Sequence, residues 1–310
     1  MNIIIYSLLK IVLVCLISPL CIGIVRKVKA YMQGRKGASI IQPYFDLWKL
    51  FHKDEVIPNT SSWIFLITPY LLFAVSILLI AGVPLLGYFE PLYALSDFVV
   101  MIYLLAIMAF FIALAGIDSG SAFGGFGSSR EMTLAALTEG TLLFSLLPAS
   151  IITHSGNLLF IAQSVATLPL ELYFPLVIAF IGFFIALLSE TGRIPFDNPA
   201  THLELTMIHE AMILEYSGKR LALIEWANAN KFIFFILLGV NIFFPWGIAL
   251  TMDPVSLLIA AATVVLKAFV LIVVVAFFES STAKLRYFKL PDLLFTGFVF
   301  SVISLIVMSL

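Results

Sequence analysis

The chain reads as long apolar stretches broken by short polar ones. Apolar windows fall at about 3–25, 63–87, 97–116, 131–152, 172–189, 232–250, 255–279 and 292–310. Each is close to the roughly 20 residues that a helix needs to cross a bilayer. Pro, Gly and acidic residues punctuate several boundaries, as at Gly82-Val83-Pro84, Glu90-Pro91 and Asp253-Pro254. The pattern predicts an all-α fold: a polytopic transmembrane helix bundle of about eight spans, forming one membrane domain over 1–310, with the first span retained.

Two polar connections carry structure of their own. In Gln42–Lys53 (QPYFDLWKLFHK), Tyr44, Leu47, Trp48 and Phe51 recur at helical spacing, with Asp46, Lys49 and Lys53 elsewhere. Such a segment predicts an amphipathic helix lying in the membrane interface, near 42–53. The connection 190–231 is about forty residues long, more than a plain linker needs. The run Gly120–Gly127 (GSAFGGFG) reads as flexible. It follows a helix and not a strand, which argues against a phosphate-binding loop.

Composition agrees with lipid as the solvent. Of 310 residues, 62% are apolar and 11% charged, against about 25% charged in soluble domains. With 17 basic and 18 acidic residues, net charge gives no ground for nucleic-acid binding. Position is more telling than total. Fifteen of the seventeen basic residues fall in the loops 26–62, 117–130, 190–231 and 280–291, and the alternate loops hold none. The positive-inside rule places those four loops in the cytoplasm and both termini outside. Lys10 and Lys267 fall inside spans; Lys10 is expected to snorkel to the outer surface.

Ionisable groups within spans are expensive and normally face a partner or water. Glu139 and Lys267 lie deep, and read either as a packing ion pair or as members of a proton or ion relay. Glu190 and Glu279 close two spans, and Asp292 opens another. The stretch from His202 to Gly218 (HLELTMIHEAMILEYSG) adds Glu204, Glu210 and Glu215 among apolar neighbours. If 200–215 is helical, His202 and His209 share one face, Glu204 and Glu215 the other, and the segment is largely buried. Two histidines two turns apart sit roughly 10 Å apart along the axis, too far to hold one metal ion. No H-E-x-x-H, paired-cysteine motif, Rossmann fingerprint or P-loop is present, so any redox cofactor is expected in another subunit.

The residues carry a resemblance over nearly the whole chain. Arg26-Lys27-Val28, Gln33-Gly34-Arg35-Lys36-Gly37 and Gln42-Pro43 through Asp46-Leu47-Trp48-Lys49 are similar to the first cytoplasmic motif of subunit 1 of complex I, the NADH-quinone oxidoreductase. Glu190-Thr191-Gly192-Arg193-Ile194-Pro195-Phe196-Asp197 with Glu215-Tyr216-Ser217-Gly218 resembles its second, and Ala283-Lys284-Leu285-Arg286-Tyr287 its last. Gly116-Ile117-Asp118-Ser119-Gly120, followed by Gly127-Ser128-Ser129-Arg130-Glu131, is similar to the hydrogenase-4 and formate hydrogenlyase branch of group 4 membrane-bound [NiFe] hydrogenases. Where quinone-reducing members carry an acid-rich run, the matching positions here read Ala200, His202 and Glu204.

The resemblance implies a non-catalytic membrane anchor that couples a peripheral redox arm to proton or sodium movement across the plasma (inner) membrane. It implies a relay of Glu139, Glu190, Glu204, Glu210, Glu215, Lys267 and Glu279. It implies an arm-facing set of Arg26, Lys29, Arg35, Asp46, Arg193, Asp197, Lys284 and Arg286. The expected partners are hydrogenase large and small subunits with the [NiFe] centre, iron–sulfur subunits, antiporter-like membrane subunits and lipid; a bound quinone is not implied. The competing readings are the quinone-site subunit of complex I itself and a stand-alone secondary transporter working through Glu139 and Lys267.

Overall fold

The computed structural model describes residues 3–87, 93–169, 173–197, 207–249 and 253–309. Among these residues eleven α-helices follow in order: α1 (Ile3–Met32), α2 (Gln42–Phe51), α3 (Trp63–Gly82), α4 (Phe98–Asp118), α5 (Ala122–Thr153), α6 (Leu158–Ala166), α7 (Tyr173–Glu190), α8 (His209–Ile213), α9 (Gly218–Ile242), α10 (Pro254–Ser281) and α11 (Leu290–Ser309). Among the described residues, eight helices are long and apolar enough to cross a membrane: α1, α3, α4, α5, α7, α9, α10 and α11.

The axis of the bundle is α9. Of its most apolar window 72% is buried, against 28% for α10 and for α11. Phe232, Phe234, Phe235 and Ile236 on α9 are all 1% exposed or less. Around it, α3, α1 and α10 pack on one flank, while α5, α7 and α11 form a second group, with α4 joining α3 to α5.

Local chemistry sets several helix ends. Ser62, Asp97 and Asn157 cap α3, α4 and α6 with side-chain oxygens that accept the N–H two residues on. Asp118, closing α4, accepts the N–H groups of Ser62 and Phe65 and so ties its end to the start of α3.

Several span boundaries differ from the hydropathy reading, and at three of them polar or glycine-rich sequence is drawn into helix. The sixth span begins at Gly218 and not near 232, so Lys219, Arg220 and Lys231 sit on a helix and not in a loop. A hydropathy window penalises Glu225, Asn228, Asn230 and Lys231, but inside the bundle these side chains have polar partners and polar space. The fourth span begins at Ala122, which makes most of the Gly120–Gly127 run helical and not flexible. Its glycines serve close packing: a Cβ on Gly127 would lie 2.9 Å from the Ile208 carbonyl oxygen and 3.0 Å from Ala211 Cβ. The first span extends to Met32, carrying Arg26, Lys27 and Lys29 on helix. The interfacial segment is helical as expected, and leaves Phe45 and Trp48 exposed.

Prolines inside α1 and α3 each remove a ladder hydrogen bond and free the carbonyl four residues earlier. Both carbonyls are taken up from the same stretch of chain. Trp226 Nε1 donates to the Cys15 carbonyl opened by Pro19, at 2.9 Å, and Tyr216 Oη donates to the Phe65 carbonyl opened by Pro69, at 2.9 Å. The 216–226 region is thereby fastened to α1 and α3.

Candidate functional site: a charged cavity beside the central helix

A cavity of about 650 Å³ lies between α1, α4, the 190–197 turn, α8 and α9. Its walls bring together Glu131, Glu190, Asp197, Glu210, Glu225 and Glu279 with Arg26, Lys29, Arg35, Arg193, Lys231 and His209. Apolar walls are supplied by Leu72, Met108, Ile112, Met212 and Phe232.

Most of these charges are matched. Glu279 receives Arg193 Nη1 at 2.7 Å and Lys29 Nζ at 3.1 Å. The Arg193 guanidinium also lies over the Phe232 ring, 3.9 Å from its centroid. Glu190 meets Lys231 Nζ at 2.5 Å, and both side chains are under 10% exposed. Asp197 accepts Lys284 Nζ at 2.8 Å on one oxygen and the N–H groups of Ile208 and His209, each at 3.0 Å, on the other. Buried charges survive only with such pairing and added hydrogen bonds. Arg26 and Asp46, 3.6 Å apart and half-exposed, stand where a smaller cavity of about 250 Å³ between α1, α2 and α9 adjoins the main one.

Proton affinities in the turn and α8 are displaced. Burial, with Glu225 and Asp197 nearby, raises Glu210 to about 7. Burial opposes ionisation of Asp197, yet His209 and Lys284 outweigh it and hold this carboxyl far below the usual range.

Of the expected relay, Glu190, Glu210 and Glu279 line the cavity. Glu139 is half-buried on α5, within electrostatic reach of Glu190 and Lys231. Glu204, like His202, lies outside the described residues. The predicted 200–215 helix is described only as the short α8. Glu215 is exposed and absent from the cavity wall, because the chain leaves α8 before reaching it and Leu214 also turns outward.

Lys267 stands apart from the cavity and gives its ammonium to the carbonyls of Phe244 and Trp246, at 2.8 and 2.9 Å, beyond the end of α9. Lys10 does not snorkel. It is 3% exposed and donates to Ala81 and Val83 carbonyls at 3.0 and 2.9 Å, closing the end of α3. Lys10 thus satisfies carbonyls at the end of α3, and Lys267 satisfies carbonyls of the turn that follows α9.

The expected arm-facing set divides. Lys29, Arg193, Asp197 and Lys284 are committed to ion pairs within the chain, because each faces an opposite charge where water is scarce. Arg35 and Arg286 are exposed, and Arg26 and Asp46 half-exposed. The sequence reading passed over Glu131, Glu225 and Lys231 as site residues. A signal existed for two of them: Glu225, Asn228, Lys231 and Phe232 recur at the three- and four-residue spacing of one helix face.

An eight-span helical membrane protein with a charged cavity set against its central helix is the class that these features define. Residues 4–309 match the NADH dehydrogenase family, and the chain belongs to it. It is 33% identical to formate hydrogenlyase subunit 4 of Escherichia coli (strain K12) over 98% of both chains. It is 34% identical to hydrogenase-4 component C of the same organism, over 95% of this chain and 92% of that one. NADH-ubiquinone oxidoreductase chain 1 of Triticum aestivum is 31% identical over 70% of each. The fold matches a chain in the structure of a membrane-bound sulfane sulfur reductase, an archaeal respiratory membrane complex, with a TM-score of 0.86 over 99% of this chain and 100% of that one, at 22% identity.

Proposed function

We infer that this chain is the ion-coupling membrane anchor of a membrane-bound [NiFe] hydrogenase complex in the plasma (inner) membrane. The observation that carries the reading is the cavity: six carboxylates and six basic side chains line one space, in a chain similar along nearly all its length to formate hydrogenlyase and hydrogenase-4 subunits. Such a set stores a proton wherever one partner of an ion pair is replaced by H+. Glu210, poised near neutrality, is the member that exchanges most readily at cellular pH.

Hydrogenase large and small subunits and iron–sulfur subunits would supply the redox groups. The exposed Arg35 and Arg286, with the exposed Phe288, offer them a basic and partly apolar seat on the cytoplasmic side. Antiporter-like subunits in the membrane would carry the ion onward. Glu190 and Lys231, with Glu139 beyond them on α5, lead inward from the cavity.

The test is Glu190→Gln in the assembled complex, with hydrogen evolution and proton translocation measured together in sealed vesicles. The expected result is normal assembly with translocation per H2 reduced at least severalfold. Translocation at the wild-type ratio would remove Glu190 from the path.

A further inference from the structure

His209 opens α8 with its ring set between carboxylates from two other elements. Its Nε2 lies 3.3 Å from Glu131 Oε2 on α5, and its Nδ1 lies 3.7 Å from Asp197 Oδ2 in the 190–197 turn. Neither approach is an aligned hydrogen bond, but both lie within ion-pair range, so a charged ring is drawn to both carboxylates where a neutral one is not. Glu131 and Asp197 are 8% and 1% exposed, so that attraction is poorly screened. The two carboxylates are not equivalent. Asp197 keeps Lys284 and two backbone N–H donors, whereas among the described residues Glu131 has no other ion-pair partner.

The seat is shaped for this ring. Gly192 adopts φ +59°, and a Cβ there would stand 3.0 Å from His209 Nδ1. On the other side Gly127 lets the α5 backbone reach Ile208, the residue before the ring.

We propose that His209 is an imidazolium staple, a positioning residue whose charge pins α8 between α5 and the 190–197 turn and so holds Glu210 at the cavity wall. The charged groups around the ring are Glu131 from α5, Asp197 with Lys284 behind it, Glu210 next in the chain and Lys231 from α9. From α4, which also packs on α8, come the apolar Met108, Ala109 and Ile112. Burial pulls the ring's proton affinity down, but Glu131 and Asp197 outweigh it and raise His209 to about 9. The sign follows from the raised value: the staple is complete below the ordinary 6.5 of histidine and fades as pH climbs toward about 9.

The experiment is hydrogen–deuterium exchange of residues 207–216 in the assembled complex, corrected for intrinsic exchange at each pH. In the wild type the opening constant should rise roughly tenfold per pH unit between 6.5 and about 9. His209→Lys, whose charge persists beyond that range, should stay protected throughout. His209→Gln should exchange fast even at pH 6.5 and show no such slope. A flat wild-type profile, or His209→Gln as protected as wild type at pH 6.5, overturns the staple. Should His209→Gln fail to assemble, the wild-type slope and its absence in His209→Lys decide alone. The link to turnover rests on the coupling role proposed above, but the exchange measurement does not. A wild-type slope beside unchanged translocation in His209→Gln would count against that role and leave the staple standing.

Discussion

Glu210 shows how one carboxyl can be tuned by position alone. It is half-buried on α8, beside His209 and facing Glu225, and burial with like charges keeps its proton to about pH 7. Ionised Glu210 is tolerated in the unfolded chain from about pH 4.5 upward, so the folded protein loses stability through this group as pH rises from there to about 7. The same displacement makes it exchange protons in the cellular range. Glu210→Gln should therefore remove an inflection near pH 7 from the rate of proton-coupled turnover, measured in vesicles from pH 6 to 8. An inflection unchanged in the variant would assign it to another group. Hydrophobic patterning does not distinguish Glu210 from Glu215, five residues on. One lines the cavity and the other faces out, because α8 is a single short helix and the chain turns away after it.

At the scale of elements, the bundle is held by polar ties placed where helices are interrupted. Pro19 and Pro69 free carbonyls in α1 and α3, and Trp226 and Tyr216 use them. Stacking of Tyr216 on Phe65, with centroids 3.9 Å apart, reinforces the second tie. Tyr216→Phe keeps the stack and leaves the Phe65 carbonyl without its donor, which should lower stability by about 1–3 kcal/mol. Thermal denaturation of the purified complex in detergent measures it, with Tyr70→Phe, at an exposed position, as the comparison. An equal midpoint in Tyr216→Phe and the comparison would show that the freed carbonyl finds another donor. Lys10 at the end of α3 and Lys267 at the turn after α9 belong to the same scale. Inside a membrane, carbonyls outside a helical ladder have no water to satisfy them, and Lys10 and Lys267 reach such carbonyls from neighbouring spans.

For the whole molecule the governing feature is asymmetry. The ion-paired cavity draws on the basic connections near 26–35, 190–197 and 284, all on the side that the positive-inside rule assigns to the cytoplasm. Cysteines introduced at exposed Lys36 and Asp253 test that direction, because native Cys15 and Cys21 are buried. Membrane-impermeant maleimide should label Lys36→Cys only in inside-out vesicles and Asp253→Cys only in right-side-out ones. The opposite pattern would invert the proposed orientation and place the cavity mouth outside.

The sequence by itself determined the solvent, the number of candidate spans, the short helix near 42–53 and the family. Those depend on composition, helical period and short contiguous motifs, all of which are local. It also marked Glu190 and Glu279 because they close spans, and Arg193 and Asp197 through the motif they share with the family. Tertiary structure alone decided which charges meet. Lys231 belongs with Glu190, and Glu279 with Lys29 and Arg193, across separations that no periodicity encodes. It moved the start of α9 back to Gly218, because polar residues that hydropathy rejects are tolerable once a partner charge or a polar cavity faces them. It gave the intramembrane lysines carbonyl partners at the end of α3 and in the turn after α9, and it set His209 between Glu131 and Asp197. A charge's role depends on its nearest opposite charge and on the water left around it, and both are properties of the packed bundle.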